Sequence, residues 1–385
     1  MPNKKILMLV FSHYPGDTRV RREALALKSK GFDIDIICIK GDTQSKIETI
    51  EGISIFRINL KKKREGLFTY IYIYTLFFLA AFVKVNFLYF KKRYSFIHVH
   101  NMPNFIVFTS LLPKIMGTTI ILDMHDPMPE LLSSSLNRQS KILRNLLIFE
   151  EKMSVLFADK IITTNIAFKE LFISRGCPEN KISIVMNSPY PEIFNKVELK
   201  KRDDSEFIIL YNGSIIKRHG LDLLVDAVIS LKEKIPNIKL RIYGGGEFLD
   251  EVIKKISDSG SNNFIEYCGP MLIDDLVKEI ASCDLGVIPN RFNEFTNLNF
   301  PIRIFELIHF RKPVIVPRTK GIMDYFGEDS ILYFNPNDSE DLKKIISKIV
   351  NKEYDVEQII NKSYAIYNDH KWEVQQRILF NIYMS

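Results

Sequence analysis

Short apolar runs, separated by stretches of helical periodicity, recur along the whole chain. Ile6–Phe11, Ile34–Ile39, Ile53–Ile58, Phe96–His98, Thr119–Asp123 and Lys160–Thr163 form a first series. Phe207–Tyr211, Lys239–Tyr243, Phe264–Tyr267, Leu285–Ile288, Pro313–Val316 and Ile331–Tyr333 form a second. Continuous apolar runs predict strands buried on both faces, as in a parallel sheet covered by helices. Stretches such as Arg19–Lys30 and Leu221–Lys232 predict right-handed crossover helices, with Gly31 and Gly220 punctuating helix ends or starts. The charged, aperiodic stretch Asn195–Ser205 reads as a linker. Two α/β halves are therefore expected, 1–195 and 200–369, with 370–385 following.

Residues 66–83 carry no charge, and Lys61, Lys62, Lys63 and Arg64 precede the apolar stretch while Lys91, Lys92 and Arg93 follow it. A membrane span needs about 20 apolar residues, so the length is borderline. Tyr70, Tyr72, Tyr74 and Lys84 make the segment wetter than most spans, and two basic flanks assign no orientation. It also lies between two strands of one sheet, where a crossover helix belongs and where a bilayer crossing would tear the sheet apart. Two readings stay open: a helix packed on the sheet with an apolar, basic-edged face for a membrane surface, or a plain buried helix.

A length of 385 residues suits two domains, and 46% hydrophobic with 26% charged residues is an ordinary globular balance. The net charge of +7 is too small and dispersed to demand nucleic acid, and it suits an anionic ligand or an anionic membrane surface. Cys38, Cys177, Cys268 and Cys283 have no paired metal spacing, and three lie in apolar runs, so a reduced, cytoplasmic setting is expected. After Lys4 and Lys5 the apolar run is too short for a signal peptide and reads as a strand.

Candidate chemistry gathers where the strands end. The first strand runs into Ser12-His13-Tyr14-Pro15-Gly16-Asp17, then a helix with Arg19, Arg21 and Arg22 near its start. Free N–H groups and a positive helix end suit a phosphate. With one glycine the dinucleotide fingerprint is absent, and an ordinary strand-to-helix turn fits equally. In the second half, Asn212-Gly213-Ser214 is followed by Lys217, Arg218, His219 and Gly220. Two cations beside a glycine turn can neutralise a diphosphate leaving group; the alternative is a solvated basic turn. Gly244-Gly245-Gly246-Glu247 ends another strand, where open α/β sheets bind ligands. Pro301 begins a helix with Arg303 and Glu306 one turn apart, suited either to a ribose diol and a phosphate or to a surface ion pair. His98, His100 and Asn101 end one strand of the first half, and Asp123, His125 and Asp126 the next. A His or Asp there can orient an acceptor hydroxyl or the donor sugar, and the spacing lacks a compact metal-ligand set.

Together these residues resemble glycosyltransferase family 4, with the GT-B fold: two Rossmann-like domains facing each other across a cleft. The match covers nearly the whole chain. It includes Pro15-Gly16-Asp17-Thr18-Arg19-Val20, His98-Val99-His100-Asn101, and Asp123-Met124-His125-Asp126 with Glu130 following. It continues through Tyr211-Asn212-Gly213-Ser214, Gly244-Gly245-Gly246-Glu247, and Phe264-Ile265-Glu266-Tyr267-Cys268-Gly269-Pro270. Pro301-Ile302-Arg303-Ile304-Phe305-Glu306, Lys312-Pro313-Val314 and Tyr333-Phe334-Asn335-Pro336-Asn337-Asp338 complete it. The resemblance implies retention of anomeric configuration, an acceptor held by the first domain through residues such as His100 and Asn101, and a nucleotide-sugar donor held by the second. It places Glu306 on the nucleotide ribose, Lys217 and Arg218 on the diphosphate, Gly16 near the phosphates, the backbone around Met271 on the base, and His125 and Asp126 at the reacting sugar. Gly213, Ser214, Gly245, Glu247, Asn299 and Arg303 complete the expected donor contacts. The segment Trp372–Tyr383 looks like a helix crossing back onto the first domain. The resemblance also implies that the leaving phosphate deprotonates the acceptor, so no dedicated base, cofactor or metal is expected.

Two departures stand out. The first glutamate of the family's pair is Leu298 here, leaving Glu294 or backbone N–H groups near Asn299 as substitutes. The lysine usual before the glycine of the cationic loop is His219, with Arg218 as its substitute. The expectation is a cytoplasmic enzyme, peripheral at the inner face of the cell membrane, acting in glycan or polysaccharide assembly on a saccharide or lipid-linked acceptor. The nucleotide base is expected to be uracil or guanine, with uracil, hence UDP, favoured only on family frequency. A GT-B sugar-nucleotide epimerase and a non-catalytic sugar- or nucleotide-binding protein are the alternatives.

Overall fold

The computed structural model describes residues 4–60, 66–135, 140–197 and 205–384. The basic cluster Lys61–Arg64 and the part 198–204 of the expected linker lie outside them. The chain divides into two units, Met1–Met186 with Gln375–Ser385, and Asn187–Val374. The change of unit thus falls ahead of Asn195–Ser205, and the chain's last residues belong to the first unit.

The first unit is an eight-stranded sheet in the order β3-β4-β2-β1-β5-β6-β7-β8. Its strands are β1 (Lys5–His13), β2 (Asp33–Ile39), β3 (Ile47–Ile50), β4 (Ile53–Ile58), β5 (Phe96–His100), β6 (Thr119–Met124), β7 (Lys160–Thr163) and β8 (Ile182–Ile184). All pairings are parallel except β3 with β4. Ile6, Leu7, Met8 and Leu9 of β1 are fully buried, as a strand covered on both faces should be. Strand order reverses between β1 and β5, where doubly wound sheets open a crevice at their carboxyl ends.

Five helices of this unit matter below: α1 (Thr18–Ser29), α2 (Gly66–Lys92), α3 (Leu111–Ile115), α4 (Met128–Ser135) and α5 (Lys141–Phe157). Asp17 caps α1 by accepting from Val20 N–H. The segment α2 connects β4 to β5 as the expected crossover helix. Phe77, Ala81, Val85 and Leu88 recur at helical spacing and are buried, while Tyr72, Leu79, Val83, Phe87 and Phe90 are exposed. By length and composition Ile71–Lys92 is apolar enough to cross a membrane, yet a third of that window is buried within the fold.

The second unit carries β9 (Phe207–Asn212), β10 (Ile238–Tyr243), β11 (Ile265–Gly269), β12 (Leu285–Val287), β13 (Val314–Pro317) and β14 (Leu332–Phe334). Their order is β11-β10-β9-β12-β13-β14, all parallel. Counted within the unit this is 3-2-1-4-5-6, the Rossmann order, with its switch point between β9 and β12. Leu221, Leu224, Val225 and Val228 of the helix Leu221–Leu231 pack on Ile209, Leu240 and Ile242 to make its core.

Candidate active site

In the second unit the loops after β9, β10 and β12 are laced together at the strands' carboxyl ends. Gly213 N–H donates to Tyr243 O, Ile215 N–H to Gly245 O, and Phe248 N–H to Ile215 O. Such proximity requires glycine. A Cβ on Gly244 would stand 1.9 Å from Gly213 O, and one on Gly246 2.3 Å from Ile215 O; both residues have positive φ. Gly245 has open space before it.

Arg303 and Glu306, on the helix Arg303–His309, converge on one residue at the switch point. Arg303 Nη1 donates to Asn212 O, and Nη2 reaches Asn290 Oδ1 at 3.5 Å, so the guanidinium straddles the ends of β9 and β12. Asn212 Nδ2 donates to Glu306 Oε2 at 3.4 Å. The glutamate is only 9% exposed. Asn212, read in the sequence only as part of its motif, is therefore a structural hub, and Asn290, outside every motif, braces the same guanidinium. Ser214, Lys217, Glu247 and Met271 are exposed, and Arg218 is half-buried with its guanidinium 5.6 Å from the Phe295 ring centroid. His219 does not replace the missing lysine as a cation. Burial and the neighbouring Arg303 push its pKa down to about 4, and its Nδ1 lies 2.8 Å from Ser214 O.

The substitute proposed for the missing glutamate needs correcting at Asn299. Its own N–H donates to Phe295 O at 3.0 Å, closing the helix Glu294–Leu298, so it is spent. Leu298 and Asn299 press on Gly321, where a Cβ would meet Leu298 O at 2.4 Å. Glu294 is exposed at the other end of that short helix.

In the first unit a charged cluster is sealed around the switch point. Asp123 at the end of β6 is fully buried and holds Arg19 of α1, with Nε 2.8 Å from Oδ2 and Nη2 2.9 Å from Oδ1. His125 Nε2 and His100 Nδ1 lie 3.1 and 3.2 Å from Asp123 Oδ2. Burial alone would raise the Asp123 pKa, but Arg19 and His125 beside it, with hydrogen bonds from His100 and His125, hold it well below the carboxylate range. Burial works against a charged His125, and Asp123 overcomes this and raises its pKa. Glu23 is also fully buried. Arg19 Nη2 lies 3.1 Å from its Oε1, close but without the alignment of a hydrogen bond, and burial raises its pKa against the pull of Arg19. His98 Nδ1 shares a hydrogen bond with Tyr383 OH at 2.7 Å; the ring stacks on His100 at 4.2 Å and is kept neutral by burial and its neighbouring His100.

This overturns the acceptor-binding expectation for His100 and Asn101. His100 is fully buried, and Asn101 is 5% exposed with both ends of its amide engaged. Only His125, with a side chain 20% exposed, and the half-buried Asp126 reach out from this group. Glu23, His98, His100 and Asp123 bring ligand-type atoms within 4.8 Å of one another. Arg19 already lies on both Asp123 oxygens, so a cation would have to displace it. Gly16 is exposed, and a Cβ there would make only an ordinary contact with His13 O, so nothing crowds the turn.

Two doubly wound sheets, parallel apart from the β3–β4 edge pair and each with polar residues at the strand ends around a switch point, are the architecture expected of the GT-B class. Residues 16–188 match the family described as Glycosyltransferase Family 4, and residues 192–366 match Glycosyl transferases group 1. The two matches lie end to end over most of the chain, which is a GT-B glycosyltransferase. It is 21% identical to a Methanocaldococcus jannaschii protein described as an uncharacterized glycosyltransferase, MJ1607, over 98% of this chain and 97% of that one. Among solved structures, sucrose-phosphate synthase from Thermosynechococcus elongatus is similar at TM-score 0.77 and 16% identity, over 99% of this chain and 98% of that one. Anabaena Alr3699/HepE, solved in complex with UDP, is similar at TM-score 0.71 and 14% identity, over 99% of this chain and 100% of that one.

Proposed function

We infer that the protein is a retaining hexosyltransferase that takes a sugar from a nucleoside-diphosphate donor held by the second unit. The acceptor is a saccharide or lipid-linked saccharide in glycan or polysaccharide assembly. One arrangement carries this reading: Arg303 and Glu306 meeting at Asn212, beside backbone turns that only glycine permits. A buried carboxylate suits a ribose diol, and exposed Lys217 with Arg218 suits a diphosphate whose charge grows as the sugar leaves. Lys217, Arg218, Gly213, Ser214, Gly245, Glu247, Arg303 and Glu306 are assigned to the donor and Met271 to its base. His125 and Asp126 are assigned to the reacting sugar and Gly16 to the phosphates. UDP is the first nucleotide to try, in keeping with the ligand of the HepE structure.

The deciding measurement is release of free nucleoside diphosphate from candidate donors, with and without acceptors, in EDTA. A transferase releases it in an acceptor-stimulated manner and tolerates chelation, and retention is read from the anomeric configuration of the product. Isomerised donor without acceptor would mark an epimerase, and saturable binding without turnover a binding protein; either overturns the reading. The setting assigned to the enzyme is the cytoplasmic face of the cell membrane.

A further inference from the structure

The turn that carries His125 and Asp126 is held by a side-chain relay that ends far from it in sequence. Asn101 behaves like a strand partner to this turn. Its Oδ1 accepts from His125 N–H at 2.8 Å, and its Nδ2 donates to Asp126 O at 2.9 Å. The same Nδ2 donates to Asn104 Oδ1 at 3.0 Å, and Asn104 Nδ2 donates to Glu150 Oε2 on α5 at 3.0 Å. Both asparagines are buried.

The relay has a direction, set at its two ends. At the turn, a backbone N–H can only donate, so Asn101 must present oxygen there. At α5, an ionised carboxylate can only accept, so Asn104 must present nitrogen there. With both ends fixed, neither amide can rotate by half a turn without leaving two like groups facing each other. A neutral Glu150 gains a donor and loosens this constraint.

We propose that Glu150, acting through Asn104 and Asn101, is a positioning residue for the His125–Asp126 turn. Its catalytic meaning rests on the assignment of that turn to the reacting sugar. Glu150 never touches substrate in this proposal; it fixes the polarity of the amides that clamp the turn. The carboxyl is suited to the task near neutrality. Burial pushes its pKa up to about 7, against hydrogen bonds from Asn104, Ser154 and the Phe105 backbone. Glu151 follows it on the same helix and feels its charge, and Glu151 in turn meets Arg175 and Glu130, with Arg144 and Arg175 pairing to Glu130. The face presented by residues 104 and 105 offers no titratable group. Glu150 also sits on the helix whose outer side exposes Ile142, Leu146, Phe149 and Met153, so whatever lies against α5 is one amide pair away from the turn.

Two readouts on the full-length protein test this. Hydrogen exchange at the His125 amide reads the clamp without any substrate. Glu150→Ala is expected to speed that exchange about tenfold, while Glu150→Gln, which keeps an acceptor oxygen, restores protection. Steady-state turnover reads the catalytic meaning. Glu150→Ala is expected to lower kcat about tenfold with donor KM within twofold of the parent. The parent kcat is expected to rise several-fold between about pH 6 and pH 8, and Glu150→Gln to lose that limb. Unchanged exchange in Glu150→Ala overturns the relay. A loosened turn with unchanged kcat, or the same pH limb in Glu150→Gln, overturns its role in catalysis. If the parent shows no turnover with any donor, the functional assignment fails while the exchange arm still reads the relay.

Discussion

Asn212 shows how one polar residue organises the second unit's candidate site. Arg303 reaches its carbonyl and it donates to Glu306, so its two polar ends are held by two side chains of one helix turn. Truncating either partner removes a charged contact worth about 1.5–3 kcal/mol. Glu306→Ala and Arg218→Ala are each expected to cut turnover by an order of magnitude or more, measured as nucleoside-diphosphate release. Glu150 makes a different prediction, about stability. Its folded pKa is raised from 4.5 to about 7, so the folded state binds its proton more tightly than the unfolded state does. The stability this contributes is fully present below about 4.5 and is lost as pH rises towards 7, at about 1.4 kcal/mol per pH unit. Glu150→Gln lacks that slope. Its melting temperature is expected to gain on the parent's as pH rises from about 5 to 7, followed by calorimetry. The ionised carboxylate that orients the relay is thus the form that folding disfavours.

At the scale of elements, most strands and both crossover patterns were legible because each is a run of apolar residues flanked by turn chemistry. The strands β3 and β8 were missed for physical reasons. Ile47–Ile50 is a half-exposed edge strand with two charged-or-polar positions in four, and Ile182–Ile184 is three residues long. The glycine turns and cations at the strand ends of the second unit were legible from their spacing, whereas the burial of His100 and Asn101 was not. Their burial depends on Arg19 and Glu23 of α1 and on residues far along the chain, which no local pattern reports. Glu150 was equally hidden, since on an amphipathic helix it reads as a solvated charge. The helices α2, α3 and α5 yield a further expectation. All expose large apolar side chains (Val83, Phe87, Ile115, Ile142 and Phe149 among them), while the two acids of α5 turn inward. Lys91, Arg93, Lys141 and Lys152 are their exposed or flanking charges. Such a face suits an anionic lipid surface. The protein is expected to sediment with anionic vesicles at low salt and to leave them at high salt. Equal recovery with neutral vesicles, or no binding, would sink that expectation.

At the scale of the whole molecule, the first unit is assembled from two distant segments. The helix Trp372–Met384 returns to it, and Tyr383 OH hydrogen-bonds His98 Nδ1 across 285 positions of sequence while packing edge-on against Phe96 at 4.9 Å. Val185 and Met186, at the end of the first segment, are tied in by Arg19 and Gln375. Tyr383→Phe removes one buried hydroxyl with its hydrogen bond and is expected to destabilise this unit by about 1–2 kcal/mol in chemical denaturation. Nucleotide affinity, assigned to the other unit, should stay the same; a parallel loss of both would refute the separation of roles.

That returning segment has a consequence during synthesis. The residues Asn187–Val374 are contiguous, whereas the earlier-made unit is completed only once Gln375–Ser385, with Tyr383, has been made. At ordinary translation rates the delay is roughly ten to forty seconds, in which the β5 surface lies open to chaperones or proteases. A ribosome that stalls before residue 375 releases a nascent chain with an unsealed core, a substrate for quality control rather than a stray catalyst.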